Sequence, residues 1–165
     1  MSNTAIVDSL NKALQMEMTA AHQYQLHAHV LDDWGLTLMA DKMREEQAEE
    51  IGHSDLFLER IMFLKGDPKI AFAKPPKLAA SLVEMFKADL ADEEEAIAFY
   101  VQAAREAYDA NDIGSRTLFE QIAMDEEGHK AWLELQIDLI KRLGEPAYSA
   151  TLMPSPMGAT PTQPE

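Results

Sequence analysis

Residues 49–53 read EEIGH and residues 125–129 read DEEGH, so a Glu-x-x-His pattern occurs as Glu50–His53 and again as Glu126–His129. A further glutamate precedes each copy at one distance: Glu17 lies 33 residues before Glu50, and Glu93 lies 33 before Glu126. Residues i and i+3 share a helix face, so each Glu and His can reach one centre. Four carboxylates and two imidazoles, each placed on a helix, are what a carboxylate-bridged two-metal site in a four-helix bundle requires.

Helical periodicity runs outward from these residues in four segments. The first, about 4–34, carries a stripe of Leu10, Leu14, Glu17, Ala21, Tyr24, Ala28 and Leu31. Met39, Met43, Glu50, His53, Phe57, Ile61 and Leu64 mark the second, about 36–65. The third, about 79–109, holds Leu82, Phe86, Leu90, Glu93, Ile97, Tyr100 and Ala104, and the fourth, about 112–143, holds Phe119, Ile122, Glu126, His129, Leu133, Ile137 and Ile140. No segment reads as a strand. Trp34-Gly35 and Asn111-Asp112 make tight junctions, Asp112 is a candidate N-cap, and Gly144 followed by Pro146 is a stop signal.

Between the second and third segments lies GDPKIAFAKPPK, residues 66–77, with three prolines. A helix of roughly 30 residues is about 45 Å long, and 12 extended residues reach at most about 40 Å. This connection can run almost the length of the bundle, which makes the second and third helices parallel. The expected fold is all-α, a ferritin-like four-helix bundle with one long crossover between helices two and three. The bundle is expected to occupy residues 1–145. The tail 146–165, with five prolines, is expected to be disordered.

Composition limits the alternatives. A chain of 165 residues suits one domain with a packed core. With no cysteine, disulfides, thiolate nucleophiles, iron–sulfur centres and Cys-based zinc sites are excluded, and a cytoplasmic location fits. There is no secretory signal pattern and no apolar run long enough to span a membrane. The net charge of −15 repels nucleic acid and anionic lipid and attracts cations.

On each apolar stripe an acid stands where a leucine is expected. Burying four carboxylates together is costly unless cations compensate, and two divalent ions do so while leaving the imidazoles neutral. Oxygen donors with two imidazoles suit iron or manganese, and zinc competes. By symmetry Glu50 and Glu126 bridge, Glu17 with His53 completes one position, and Glu93 with His129 completes the other. Open positions remain for dioxygen or peroxide.

The stretches QYQLHA at 23–28, DDWGL at 32–36, EEIGHSD at 49–55, LERIMFLKG at 58–66 and DEEGHKAWLE at 125–134 resemble those of bacterioferritins, within the ferritin-like di-iron superfamily. The resemblance covers about residues 4–148. It implies that Glu17, Glu50, His53, Glu93, Glu126 and His129 are ferroxidase ligands for two iron ions. The implied activity is oxidation of Fe(II) by dioxygen or peroxide, with ferric mineral stored in a hollow 24-subunit shell built from dimers. It also implies that Tyr24 takes part in redox chemistry; read by itself, Tyr24 is equally a core tyrosine with a bonded hydroxyl.

Three departures from that family stand out. Its haem is held by a methionine from each of two subunits, and this chain has Ile51 there. Haem binding by a homodimer is therefore not expected, whereas a mixed shell with a haem-bearing partner subunit stays compatible. Met43 and Met62 read as core filling. The family's fifth helix falls on the proline-rich tail, where a regular helix is not expected. Its inner-surface iron site falls on Glu45 and Glu49, which either guide iron inward or form an ordinary solvated face.

The remaining candidates read as bland. Asp92, Glu94 and Glu95 are expected to be exposed, His22, His27 and His29 to lie at the surface or an interface, and Trp132 to pack near the site. Against iron storage stands a di-iron or di-manganese peroxidase, catalase or oxygenase on the same bundle. The absence of cysteine removes the rubredoxin module that a rubrerythrin-like enzyme carries. A DNA-shielding shell is disfavoured by charge and by a site written within one chain.

Overall fold

In the computed structural model, which describes residues 3–154, the chain forms α1 (Asn3–Asp33), α2 (Thr37–Phe63), α3 (Leu82–Asp109), α4 (Ile113–Leu143) and α5 (Glu145–Ala150). The first four coincide with the four periodic segments, and no strand occurs among the described residues. Turn chemistry sets their ends. Gly35 takes φ +76° between α1 and α2, and Asn111 takes φ +57° between α3 and α4, a left-handed value Asn tolerates. The Asp112 carboxylate accepts the Ser115 amide at 3.0 Å and caps α4. Ser81 caps α3 by accepting the Glu84 amide, and Glu84 reaches back to the Ala80 amide.

Side-chain pairs give the helix directions. From Ser9–Glu106 through Glu17–Tyr100 and Tyr24–Glu93 to His27–Asp89, one number rises as the other falls, so α1 and α3 are antiparallel. The pairs Arg60–Ser115, His53–Asp125 and His129–Glu46 run the same way for α2 and α4. A tight turn makes α1 and α2 antiparallel, so α2 and α3 are parallel, as the crossover length requires.

The crossover is seated on α1 by a polar stripe of four-residue stride. Asn11 donates to the Asp67 carbonyl and accepts the Lys69 amide, and Gln15 donates to the Lys69 carbonyl. Thr19 accepts the Ala73 amide, and Gln23 both donates to and accepts from Lys77. The extended segment thereby satisfies backbone groups that no sheet pairs.

Two apolar clusters fill the bundle, one around Leu10, Leu14, Phe57, Tyr100 and Phe119 and the other around Leu31, Met43, Met85, Phe86 and Leu133. The six ligand candidates lie between them. Met43 fills the core as expected, but Met62 is 56% exposed and does not.

The tail corrects one expectation. Residues 145–150 form a short helix with Pro146 in its first turn, where the missing N–H costs nothing. Gly144, at φ +78°, redirects the chain between α4 and α5. Tyr148 is buried, stacks edge-on against Phe86 and donates to Gln136 at 2.7 Å, while the Leu38 amide donates to the Leu152 carbonyl. Tyr148 thus anchors this short helix on the bundle within a proline-rich stretch. Residues 155–165 of the tail expected to be disordered lie outside the described residues.

Candidate metal centre

Glu17 and Glu93 approach from α1 and α3, and the two Glu–His pairs from α2 and α4. All four carboxylates are buried, at 2%, 5%, 1% and 1% exposure for Glu17, Glu93, Glu50 and Glu126. Their donor atoms fall into two groups, Glu17–Glu50–His53–Glu126 and Glu50–Glu93–Glu126–His129, each with ligand atoms within 4.8 Å of one another. Glu50 and Glu126 belong to both groups, the arrangement expected of bridging carboxylates.

Each imidazole turns Nδ1 inward. His53 Nδ1 lies 3.1 Å from Glu50, 3.4 Å from Glu17 and 3.4 Å from Glu126. His129 Nδ1 lies 2.9 Å from Glu126, 3.3 Å from Glu50 and 3.9 Å from Glu93. The rings stack 6.4 Å apart. The outward Nε2 atoms face carboxylates, Asp125 at 3.5 Å for His53, and Glu46 at 3.2 Å with Glu49 at 3.5 Å for His129. Such partners orient ligating imidazoles and raise their basicity.

The electrostatics are those of a buried cluster in which carboxyls and imidazoles hold protons tightly. Burial first, then repulsion by Glu50, keeps the Glu17 carboxyl well above the ordinary carboxylate range. Burial first, then Glu126 and Glu50, does the same for Glu93. Burial raises Glu50 too, but hydrogen bonds from His129 and His53 carry it below its usual value. Against the opposing effect of burial, the carboxylates push His53 up, and push His129 up to about 12. One observation tests the fit to a cation directly. Glu50 Oε1 is buried and, although His129 Nδ1 lies 3.3 Å away, accepts no well-aligned hydrogen bond, and such an under-satisfied carboxylate oxygen suits a divalent ion.

A cavity of about 110 Å³ opens between α1, α3 and the crossover. Ala73, Lys74, Asp92 and Glu95 line it near the surface, and Glu17, Glu50, Glu93 and Glu126 line its inner end. Asp92 is paired with Lys74, and Glu94 with Lys130 at 3.0 Å. Glu45 and Glu49 are exposed as a solvated face would be, although Glu49 also reaches His129.

Tyr24 is buried and donates to Glu93 at 2.7 Å, with its own proton held tightly by burial and by the Glu93 charge. His27 corrects an expectation. It is 2% exposed and pairs with Asp89 at 2.9 Å beside Tyr24, whereas His22 and His29 are exposed. Tyr100, which in the sequence reads as plain core, donates to Glu17. Its position seven residues after Glu93, matching Tyr24 after Glu17, is the signal that marks it. Trp132 packs edge-on against Phe86 in the second apolar cluster.

Residues 7–143 match the family model described as a ferritin-like domain. The chain is 41% identical over 154 residues to bacterioferritin from Rhodobacter capsulatus, covering 93% of this chain and 95% of that one. It is 38% identical over 143 residues to bacterioferritin from Brucella melitensis, covering 87% and 89%. Among solved structures it superposes on R. capsulatus bacterioferritin, described with a metal-free dinuclear site and a haem iron on a crystallographic special position. The TM-score is 0.90 at 38% identity, with 97% and 99% covered. For Mycobacterium tuberculosis bacterioferritin the TM-score is 0.89 at 33% identity, with 93% and 96% covered.

Proposed function

This chain belongs to the bacterioferritin family, within the ferritin-like domains, and from that premise we propose that it oxidises Fe(II) and stores the ferric product. Storage of iron is the coarse function that membership carries. The finer reading is that Fe(II) is the substrate of an intrasubunit ferroxidase centre in a cytoplasmic shell, with dioxygen or peroxide as oxidant. The single observation that supports it is the pair of donor groups sharing Glu50 and Glu126, with a buried and under-satisfied Glu50 oxygen between them. Two Fe(II) ions held there give up one electron each to the oxidant; manganese or zinc competes for the same donors.

The chain's own residues do the rest. Glu50 and Glu126 bridge the two positions, Glu17 with His53 completes one, and Glu93 with His129 completes the other. Cation binding displaces the protons that Glu17, Glu93 and both imidazoles hold, while Asp125 and Glu46 keep each ring turned inward. Tyr24, hydrogen-bonded to Glu93, is placed to hold or pass a proton at that carboxylate.

We assign the assembly to a 24-subunit shell built from dimers. Phe63, Ile113 and Tyr108 support subunit contacts, being 68%, 77% and 63% exposed in the isolated chain. Haem held by residue 51 is not part of this reading, because Ile51 offers no donor atom; a haem-bearing partner subunit would supply its own. No nucleic-acid or membrane partner is proposed.

Fe(II) titration in air, following ferric absorbance and particle size together, tests the whole. Turnover well past two irons per chain with a mineral-filled shell is expected. Saturation at two in a small oligomer would replace storage by a di-iron or di-manganese peroxidase, catalase or oxygenase.

A further inference from the structure

The centre's two-fold symmetry extends beyond its ligands. Glu17, Glu49, Glu50 and His53 recur 76 residues later as Glu93, Asp125, Glu126 and His129, and Tyr24 recurs as Tyr100. Both tyrosines are buried, at 3% and 0% exposure. Their bonds cross the axis: Tyr24 on α1 donates to Glu93 on α3, and Tyr100 on α3 donates to Glu17 on α1. Each half of the chain therefore holds the terminal carboxylate of the other half.

The two clamps differ in whether the bonded oxygen also faces the histidine, and in what surrounds them. Tyr24 bonds Glu93 Oε1, the same oxygen that faces His129 at 3.9 Å. Tyr100 bonds Glu17 Oε1, while Glu17 Oε2 faces His53 at 3.4 Å. Around Tyr24 lie His27, with rings 6.4 Å apart, and Asp89, whose Oδ2 is buried without a hydrogen-bond partner. Tyr100 is instead wedged among Phe57, Phe99 and Phe119, with ring centroids 5.8, 5.6 and 6.2 Å away. Three rings thus hold this phenol beside Glu17.

We propose that Tyr100 is a positioning residue for the metal centre, occupying Glu17 Oε1 so that Glu17 meets the first metal position through Oε2 alone. This rests on the ligand assignment above. A hydroxyl bonded to a buried carboxylate is a strong, charge-assisted contact, and the aromatic wedge adds rigidity. The Glu17–His53 position is thereby built as the narrow, preorganised one. The Glu93–His129 position keeps a polar surrounding in which its carboxylate can turn. Ligand symmetry is retained while the two positions become chemically distinct.

Co(II), whose visible bands report coordination, separates the outcomes. Wild-type chain, Tyr100→Phe and Tyr24→Phe are titrated anaerobically, and thermal midpoints are recorded for each. Wild type is expected to take two equivalents. In Tyr100→Phe one equivalent weakens roughly 10- to 100-fold with altered visible bands, while Tyr24→Phe perturbs the other equivalent. Phenylalanine keeps the ring packing, so midpoints stay close to wild type. If wild type binds fewer than two ions, the ligand assignment itself fails. If wild type binds two and Tyr100→Phe matches it in affinity and bands, the positioning role is overturned. Equal weakening of both equivalents together with a lowered midpoint overturns it as well, because that is the signature of a purely structural role.

Discussion

Glu126 contacts both imidazoles, at 3.4 Å for His53 and 2.9 Å for His129, and belongs to both donor groups. Glu126→Ala is therefore expected to slow Fe(II) oxidation roughly 100-fold or more, since losing a mere outer-shell partner already costs about 10- to 100-fold. Stopped-flow ferric absorbance measures this, and an unchanged rate would refute the bridging assignment. The protons that this cluster holds make a second prediction. His53, His129, Glu17 and Glu93 all hold protons more tightly in the fold than in the unfolded chain, with His129 up to about 12. Their contribution to stability is fully present below the unfolded values and is lost as pH rises through the folded ones. Glu50 runs the other way, its contribution being present above its unfolded value and lost on acidification. Metal-free protein should thus lose thermal stability from about pH 7 towards 9, where the histidines dominate the linkage. Added Co(II) should raise the midpoint more at the higher pH, because fewer protons on the folded cluster compete with the metal. A calorimetric midpoint that rises with pH in metal-free protein contradicts this.

At the scale of elements, Asp112 serves two helices. It caps α4, and its carboxylate pairs with Arg60 of α2, which also donates to Ser115 at 2.9 Å. Asp112→Ala should cost about 1–2 kcal/mol as a lost cap, with Arg60 losing its partner in addition; urea denaturation gives the value. The crossover makes a separate claim. Gln23 accepts the Lys77 amide at 2.8 Å, so Gln23→Ala should speed hydrogen exchange at Lys77 while exchange within α4 stays unchanged. The four long helices were readable because each buries one stripe at helical period. The stride Asn11, Gln15, Thr19, Gln23 was just as regular but was invisible to a search for apolar residues. The short α5 was hidden for another reason. Its stability lies in Tyr148 meeting Phe86 and Gln136, contacts that local composition does not encode.

For the whole molecule, the proposal to test is that Ile51 leaves this chain without a haem-ligating side chain at that position. Ile51 is 45% exposed in the isolated chain, on the outer face of α2, consistent with a subunit contact. Protein made without a partner subunit should show no Soret band after haem addition, and Ile51→Met should gain one. A Soret band in the unsubstituted chain would show another ligand at work. Particle size is read in the same samples, because a haem shared by two subunits requires the dimer to form.

The opening motifs by themselves pick out the six proposed ligands. Helix geometry alone brings residues three apart to one centre, and the repeated interval of 33 residues places the third carboxylate on a neighbouring helix. Covalent spacing and local period carry that information. Tertiary structure alone decided which groups surround the ligands. Tyr100 on Glu17, Tyr24 on Glu93, and the His27–Asp89 pair join residues 62 to 83 positions apart. Asp125 and Glu46 behind the imidazoles depend on the packing of α2 against α4. Which partners meet across a bundle follows from the axial register of one helix on another, a property of the packed core as a whole.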